Sequence, residues 1–113
     1  CALPILSNNY HYLILAGDNV IGHISLVSRR GNWYETAIII EKKWQGRGFG
    51  TEAINVLLKK AKRLGIKKVY LEVRPNNLMA IRAYEKCGLK KNGIKIYPKN
   101  KYLSKTIKMA INL

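Results

Sequence analysis

Acidic residues are scarce in this chain. Its 113 residues include 21 Lys and Arg but only 6 Asp and Glu, which gives a formal net charge of +15 at pH 7. A field of this sign favours anionic partners and argues mildly against a polycationic substrate. Charge alone identifies no base-reading element, and the lysines are scattered in pairs rather than gathered in one block with interleaved aromatic residues. We therefore expect an anionic ligand, rather than nucleic acid, to be the main partner.

Cysteine and long apolar runs are also scarce. Two cysteines, Cys1 and Cys87, cannot build a disulfide framework, and Cys87 is interpreted as a small core residue. Apolar runs such as Ala37–Ile40 are far shorter than the roughly 20 residues that cross a bilayer. The first residues lack the charged and then apolar pattern of a signal peptide. We therefore expect one globular domain of residues 1–113 in a reducing cytoplasm, with no membrane partner.

Metal-binding patterns are missing as well. The two histidines, His11 and His23, fall in one predicted hairpin and have no further ligand at metal spacing. We expect both to be structural and expect no metal cofactor.

The chain is organised around residues 36–64. A β-branched strand (TAIII) leads into a turn with three glycines, Gly46, Gly48 and Gly50, and an amphipathic helix follows over 51–64. Glycines let a ligand approach the backbone, and the unpaired amides of the first helical turn are suited to phosphate. One face of the helix is predicted to be apolar, with Gly65 at its left-handed end. The apolar residues are Ile54, Leu57, Leu58, Ala61 and Leu64.

The remaining segments predict a mixed sheet. Three strands precede the glycine turn as an antiparallel meander, and a strand after the helix implies a right-handed parallel crossover. A second helix, capped by Asn77, runs to about Cys87, and two closing strands follow. The order β-β-β-α-β-α-β-β predicts an α+β fold, an α/β mixed sheet with helices packed on it. The predicted strands are 10–16, 20–27, 33–41, 67–74, 93–97 and 104–112.

Two known phosphate motifs fit the glycine turn poorly. A P-loop needs a G-K-[ST] tail, which is absent. The dinucleotide fingerprint G-x-G-x-x-A fits Gly48–Ala53, and Glu72 follows at about the expected spacing of ~20 residues. However, the polar spacer 41–45 separates the glycines from the strand, and a doubly wound sheet does not begin with an antiparallel meander.

A third interpretation uses more of the chain. The turn QGRGFG fits [QR]-x-x-G-x-[GA] between a strand and a helix. After the strand VYLEV comes N-x-x-A-x-x-x-Y-E-K-x-G-L, from Asn77 to Leu89. Over roughly residues 12–113 these motifs resemble the GNAT superfamily of acyl-CoA-dependent N-acyltransferases, most closely the branch of ribosomal-protein-alanine and spermidine N-acetyltransferases. Members carry a first strand and two helices ahead of the meander, which form one wall of the acceptor site. The resemblance therefore implies an N-terminally truncated domain.

The resemblance implies that acetyl-CoA is the co-substrate and a small-molecule or peptide amine is the acceptor. Acetyl transfer would be direct, within a ternary complex. The turn amides would hold the pyrophosphate, and the free backbone of the third strand would pair with the pantetheine arm. The implied cofactor-binding residues are Ile38, Ile39, Ile40, Gln45, Gly46, Arg47, Gly48, Phe49, Gly50, Thr51, Asn77 and Tyr84.

The chemistry needs a base and an acid. A free amine with a pKa near ~10 is mostly protonated at neutral pH, so a base or a water relay must deprotonate it. The family resemblance makes Glu35 the candidate base and Glu41 a weaker one, and it makes Tyr84 the acid that protonates the departing thiolate. Two alternatives stay open: Glu35 could have a structural role, and Tyr84 could be a packed core residue. Asn77 fits a role as a helix cap as well as it fits a role in cofactor binding. No base is placed to activate Cys87, so no covalent acyl-enzyme is expected.

Alternatives from another class stay open. The same fold could serve as a non-catalytic or degenerate basic module that binds CoA or RNA. The identity of the acceptor, among protein N-termini, polyamines, amino sugars and antibiotics, is not visible in the sequence, and a homodimer is left open.

Overall fold

The computed structural model describes residues 9–113. The observed order of elements confirms the predicted β-β-β-α-β-α-β-β arrangement. Short 3-10 turns at 30–32 and 42–44 flank the third strand. The elements are β1 (Tyr10–Ala16), β2 (Asn19–Ser28), β3 (Trp33–Ile40), α1 (Phe49–Arg63), β4 (Lys68–Val73), α2 (Leu78–Lys86), β5 (Lys90–Ile96) and β6 (Lys105–Asn112).

The six strands form one mixed sheet in the order β1-β2-β3-β4-β6-β5. The first three strands pair antiparallel, as hairpins joined by short turns do. β4 is parallel to β3 because α1 carries the chain back across the sheet between them. β6 then lies antiparallel between β4 and β5. The predicted α+β fold with a mixed sheet is confirmed.

Both helices cover the same face of the sheet. Successive residues of a strand point to opposite faces, and β4 buries Val69, Leu71 and Val73 on one of them. These residues share one core cluster with Ile81 of α2 and with the apolar stripe of α1. The buried α1 residues are Ile54, Leu57, Leu58 and Ala61.

The other face, here called the open face, carries no helix within residues 9–113. The strand register aligns its residues across β3, β4 and β6. Its central residues are Trp33, Glu35, Ala37 and Ile39 of β3, Lys68, Tyr70 and Glu72 of β4, and Thr106, Lys108 and Ala110 of β6.

The boundaries of α1 differ from the prediction of 51–64. The helix begins at Phe49, directly after Gly48, whose φ of 87° turns the chain from the glycine loop into the helix. It ends at Arg63, so Leu64 lies past the last turn and is 47% exposed rather than on the apolar face. Gly65, with φ 83°, has the predicted left-handed conformation.

Neither helix within the described chain has the length and apolar character needed to cross a lipid bilayer.

Candidate active site

The strands β3 and β4 separate halfway along their length. Parallel pairing joins Trp33–Glu35 to Lys68–Tyr70 and then stops, although β3 continues to Ile40 and β4 to Val73. Beyond the last bridge, the β4 side of β3 has no ladder partner among residues 9–113. Backbone amides and carbonyls in such a gap are available to an extended ligand, as at a sheet edge. The sequence-predicted segment Ile38–Ile40 lies in this gap.

A buried hydroxyl without a partner marks the start of the gap. Thr36 is the first residue of β3 after the last bridge, and its side chain is on the helix-covered face. It is 3% exposed, and within residues 9–113 its Oγ1 has no hydrogen-bond partner. An unsatisfied buried polar group costs about 1–3 kcal/mol. This observation fits a ligand that brings an amide or carbonyl group between the two strands.

The glycine turn lies at the other end of the gap, after the last residue of β3. Gly46 and Gly48 have φ values of 76° and 87°, and a Cβ on either would meet no atom within 4 Å. Their outer sides are therefore open to a ligand. Gly50 has no left-handed φ, and a Cβ there would make an ordinary contact of 3.6 Å with Ile40 Cδ1. The side of Gly50 on which a Cβ would stand therefore faces Ile40, whereas the same sides of Gly46 and Gly48 face open space.

The first turn of α1 presents unpaired amides beside these glycines. The first intrahelical bond at this end runs from the Glu52 amide to the Gly48 carbonyl at 3.1 Å. The amides of Phe49, Gly50 and Thr51 precede it and have no intrahelical acceptor. Unpaired amides and the partial positive charge of a helix end are the groups to which anions commonly bind in proteins.

Two polar side chains of the turn have different roles. Gln45 Nε2 donates to the Ile40 carbonyl at 2.8 Å, which fastens the turn to the end of β3. The Arg47 guanidinium lies 5.0 Å from the centre of the Trp44 ring and is exposed. Trp44 in turn packs edge-on against Phe49. Gln45 is thus committed to the backbone, whereas Arg47 is accessible to a phosphate group.

Asn77 caps α2. Its Oδ1 accepts a hydrogen bond from the Ala80 amide at 3.2 Å. The capping role that the sequence left open is therefore present, and its side-chain oxygen is already engaged.

Tyr84 lies on α2 and packs against the core. Within the described chain its hydroxyl makes no hydrogen bond. Burial raises the pKa of Tyr84, with a smaller contribution from Cys87. The phenol is therefore protonated at neutral pH and is able to donate its proton.

Glu35 lies at the point where the strands separate, but its carboxylate is already paired. Arg29 Nε donates to Glu35 Oε1 at 2.8 Å, and the Tyr70 hydroxyl donates to the same oxygen at 3.4 Å. Burial, followed by the charge of Glu35, raises the pKa of Tyr70. One of the two carboxylate oxygens of Glu35 therefore already accepts hydrogen bonds on the open face. Glu41, the weaker candidate, is exposed at the end of β3.

A second carboxylate, Glu72, lies on the open face of β4, and sequence reasoning missed it as a candidate base. It accepts hydrogen bonds from the hydroxyls of Thr106, at 2.6 Å, and Tyr97, and its other oxygen is 3.8 Å from Lys95 Nζ. Burial alone raises the pKa of Glu72, but the two hydrogen bonds and the charges of Lys95 and Lys108 outweigh it, so the pKa lies below its ordinary value. The sequence does contain a signal for its position, because Glu72 alternates with Leu71 and Val73, which are buried on the other face of the strand.

Cys87 and the two histidines make contacts within the protein. Cys87 is buried, its Sγ donates to the Thr51 carbonyl at 3.5 Å, and burial raises the pKa of its thiol, so it is a poor nucleophile. His11 and His23 contact each other across β1 and β2, with Nδ1 and Nε2 3.3 Å apart. No cluster of three or more His, Cys, Asp or Glu side chains occurs in the part of the chain that the structure describes.

Solved structures share this fold. An acetyltransferase from Bacillus subtilis in complex with CoA matches with a TM-score of 0.81 at 22% identity, over 96% of this chain and 79% of that chain. A mutant of the spermidine N-acetyltransferase SpeG from Vibrio cholerae matches with a TM-score of 0.80 at 27% identity, over 92% of this chain and 65% of that chain.

Sequence comparison leads to the same family. The spermine/spermidine N(1)-acetyltransferase of Bacillus subtilis (strain 168) is 30% identical over 67 residues, which are 58% of this chain and 44% of that protein. The chain spans between 27% and 50% of the length of the curated relatives it matches. The model of the acetyltransferase (GNAT) family matches residues 3–89, which include the separated strands, the glycine turn and α2. The chain belongs to the acetyltransferase (GNAT) family.

Proposed function

We propose that this chain binds acetyl-CoA along the gap between β3 and β4 and transfers the acetyl group to a primary amine. The single observation that carries the proposal is the end of β3–β4 pairing after Glu35 and Tyr70, with the buried Thr36 hydroxyl without a partner at the next position. The gap is open at the glycine turn, where phosphate groups would bind. CoA in a solved neighbour of the same fold supports this choice of ligand.

Binding follows from the local chemistry. The pyrophosphate would accept hydrogen bonds from the amides of 49–51, with Arg47 as a side-chain donor. The pantetheine amides would pair with the backbone of Ile38–Ile40 on its β4 side. Gln45 would act indirectly, because its bond to the Ile40 carbonyl positions the turn relative to the strand.

The transfer needs three proton movements. The ammonium form of the acceptor gives one proton to the base, and the free nitrogen forms a bond to the acetyl carbon. The bond between that carbon and sulfur breaks, and the leaving thiolate takes a proton from Tyr84, which is protonated at neutral pH. The nitrogen then loses its second proton to the Tyr84 phenolate, which restores the phenol and leaves the amide. No acyl group is attached to the protein, which agrees with the buried thiol of Cys87.

Glu35 and Glu72 are the two main candidates for the base, and the exposed Glu41 is a weaker one. Glu35 lies at the point of separation and is bonded to Arg29 and Tyr70. Glu72 is two residues beyond the last bridge of β4 and is held by two hydroxyls. We keep Glu35 as the proposed base, since it lies where the gap begins, and we treat Glu72 as the competing assignment.

The first experiment is thermal unfolding with and without acetyl-CoA, followed by release of free CoA on a panel of amines. A ligand that binds only the folded protein raises the midpoint, by about 2.7 kcal/mol of stability at 100 times its Kd. An unchanged midpoint at millimolar acetyl-CoA would contradict the proposal. Strongly salt-dependent RNA binding without such a shift would favour the basic-module alternative.

The base is assigned by two matched variants, Glu35→Gln and Glu72→Gln. Loss of a general base lowers kcat/KM by about 100-fold or more and removes the acidic limb of its pH profile. A variant that changes stability alone keeps the shape of the profile. If Glu35→Gln keeps the limb and Glu72→Gln loses it, the base is Glu72.

A further inference from the structure

We propose, on the basis of the function proposed above, that the acceptor is an amine that also carries a carboxylate or phosphate. This anionic group would bind Lys108 and Lys68 beside Trp33, on the open face of the sheet. The named relatives act on polyamines, which are purely cationic. The charges on this face favour a different substrate class.

Lys108 lies close to the proposed reacting groups. It is opposite Glu72 in the β4–β6 register and is partly buried. Its Nζ lies 4.5 Å from the centre of the Trp33 ring and 4.5 Å from that of Tyr70. Tyr70 in turn contacts Glu35. Lys108 is therefore one side chain away from each candidate base.

Lys68 adds a second charge at the same place. Its Nζ lies 4.8 Å from the centre of the Trp33 ring, which also contacts Lys108. Two ammonium groups held on one indole repel each other, and the repulsion is relieved when an anion binds between or beside them.

The carboxylates of this region do not supply that anion. Glu35 is paired with Arg29, and Glu72 is paired with Lys95. Among residues 9–113, neither Lys68 nor Lys108 belongs to an ion pair, although Lys108 is near enough to lower the pKa of Glu72. The region therefore has excess positive charge next to two carboxylates, an arrangement that suits a ligand with both an ammonium and an anion.

A cavity of about 600 Å³ lies next to Trp33. This volume is in the range of small-molecule sites. The charged residues that line it are Lys90 and Lys91, and no acidic residue does so. The positive character of the face therefore extends past Trp33, where the body of an anionic acceptor would lie.

A polyamine would fit this region poorly. Its ammonium groups other than the reacting one would approach Lys68, Lys108 and Lys95, which repel them. The two carboxylates of the region, Glu35 and Glu72, are already paired with Arg29 and Lys95. A charge-assisted hydrogen bond to an anion contributes enough to change affinity by about tenfold or more. An amine with an anionic group is therefore the favoured acceptor, and a polyamine is the disfavoured one.

The test compares matched acceptors at saturating acetyl-CoA and constant ionic strength. O-phosphoethanolamine is compared with ethanolamine to test a phosphate group, and β-alanine is compared with β-alaninamide to test a carboxylate. Spermidine serves as the polycation. Rates are expressed per unprotonated amine. We expect kcat/KM for at least one anionic member to exceed that of its neutral partner by about tenfold. Equal or lower values for both, or preference for spermidine, would overturn the inference.

Variants assign the site. Lys108→Met is expected to reduce the anionic-to-neutral ratio of kcat/KM by about tenfold, and Lys108→Arg to retain most of it. The matched control is Lys59→Met, which removes the same charge from the exposed side of α1. A ratio that falls equally in both Met variants would show a long-range effect of net charge and would contradict a site at Lys108.

Binding provides a measurement that does not need turnover. Calorimetric titration of O-phosphoethanolamine into protein saturated with CoA keeps the phosphate out of the glycine turn. We expect O-phosphoethanolamine to bind, and we expect Lys108→Met to weaken this binding while Lys59→Met preserves it. An affinity that is unchanged in Lys108→Met, or no measurable binding, would count against the inference. A protein that acetylates only neutral or cationic amines keeps the proposed function and loses this inference. If neither an acetyl-CoA shift nor turnover occurs, the proposed function fails. The titration is then made without CoA, and the comparison of Lys108→Met with Lys59→Met still decides on the anion site.

Discussion

Glu35 and Tyr70 form the last bridge between β3 and β4, and the Tyr70 hydroxyl donates to the Glu35 carboxylate at 3.4 Å. This pair closes the sheet at one end of the gap on the open face, while Thr36 lies directly behind it on the helix side. Under the proposed function, acetyl-CoA in the gap and an acceptor on the open face would meet at this point.

Tyr84→Phe should lower kcat by about 100-fold, because the variant keeps the packed ring and loses the proton donor. The affinity for acetyl-CoA should change by less than about threefold. Steady-state kinetics with thiol detection and a thermal-shift titration measure the two effects. Tyr102→Phe, at a residue that is 82% exposed, is the control. Full activity in Tyr84→Phe would remove the phenol from the mechanism.

Thr36→Val should have opposite effects on stability and on ligand binding. Valine has nearly the shape of threonine, so the change removes a buried hydroxyl without a partner and should stabilise the ligand-free protein by about 1 kcal/mol. Acetyl-CoA should then raise the melting temperature less than in the parent protein.

Thr106→Val is the matched control for that experiment. The Thr106 hydroxyl is also buried, but it donates to Glu72 at 2.6 Å, so its removal should destabilise the protein. Differential scanning calorimetry of both variants checks the signs. Destabilisation by Thr36→Val as large as that by Thr106→Val would mean that the hydroxyl is satisfied in the folded protein.

Gly22→Ala should be strongly destabilising. A Cβ at this position would lie 2.2 Å from the backbone oxygen of Ile39, a separation that forces β2 and β3 apart. Such overpacking costs about 1–3 kcal/mol. Urea unfolding measures the loss, and acetyl-CoA affinity should fall because the displaced residue lies beside the gap.

Gly50→Ala is the comparison for stability, since a Cβ there makes only an ordinary contact of 3.6 Å in the first turn of α1. Alanine favours a helix over glycine by up to about 1 kcal/mol. Gly50→Ala should therefore unfold at an equal or higher urea concentration. If both alanine variants lose stability alike, the close approach at Gly22 is not the cause.

Glu72→Gln should remove a pH-dependent part of the stability. The pKa of Glu72 is lower in the folded protein than its ordinary value of 4.5, so the unfolded state binds more protons as the pH falls. The stabilisation is therefore complete above the unfolded pKa and is lost as the pH falls through the folded pKa. Melting temperatures from pH 7 to pH 3 should show a difference between parent and variant that narrows towards low pH. A difference that stays constant would contradict this linkage.

Much of the fold was visible in the sequence because its signals are local. The alternation of Val69, Leu71 and Val73 predicted a buried strand, and Gly65 and Asn77 predicted helix ends. The error at the start of α1 has a local cause too, since Gly48 in a left-handed conformation allows the helix to begin two residues early. The sequence motifs and the spacing of the apolar residues together were enough to predict the order of the helices and strands.

The site was only partly visible because its contacts join distant segments. Glu72 meets Tyr97 and Thr106, which are 25 and 34 residues further along the chain, so its bonded state cannot be read from its neighbours in sequence. The pairing of Glu35 with Arg29 depends on the shape of the turn before β3. The sequence motif located the glycine turn, but the orphan hydroxyl of Thr36 emerged only from packing.

The short pairing of β3 with β4 divides the sheet mechanically. Each wing, β1–β3 or β4–β6, is an antiparallel unit with long ladders, while the seam between them has three bridges and the support of α1. Backbone amide hydrogens should therefore exchange slowly with solvent inside each wing, and faster in the parts of β3 and β4 that are not paired with each other. A thioester substrate lying in the seam would act as a temporary seventh strand, so the enzyme would be stiffest when it is loaded and would loosen as the product leaves.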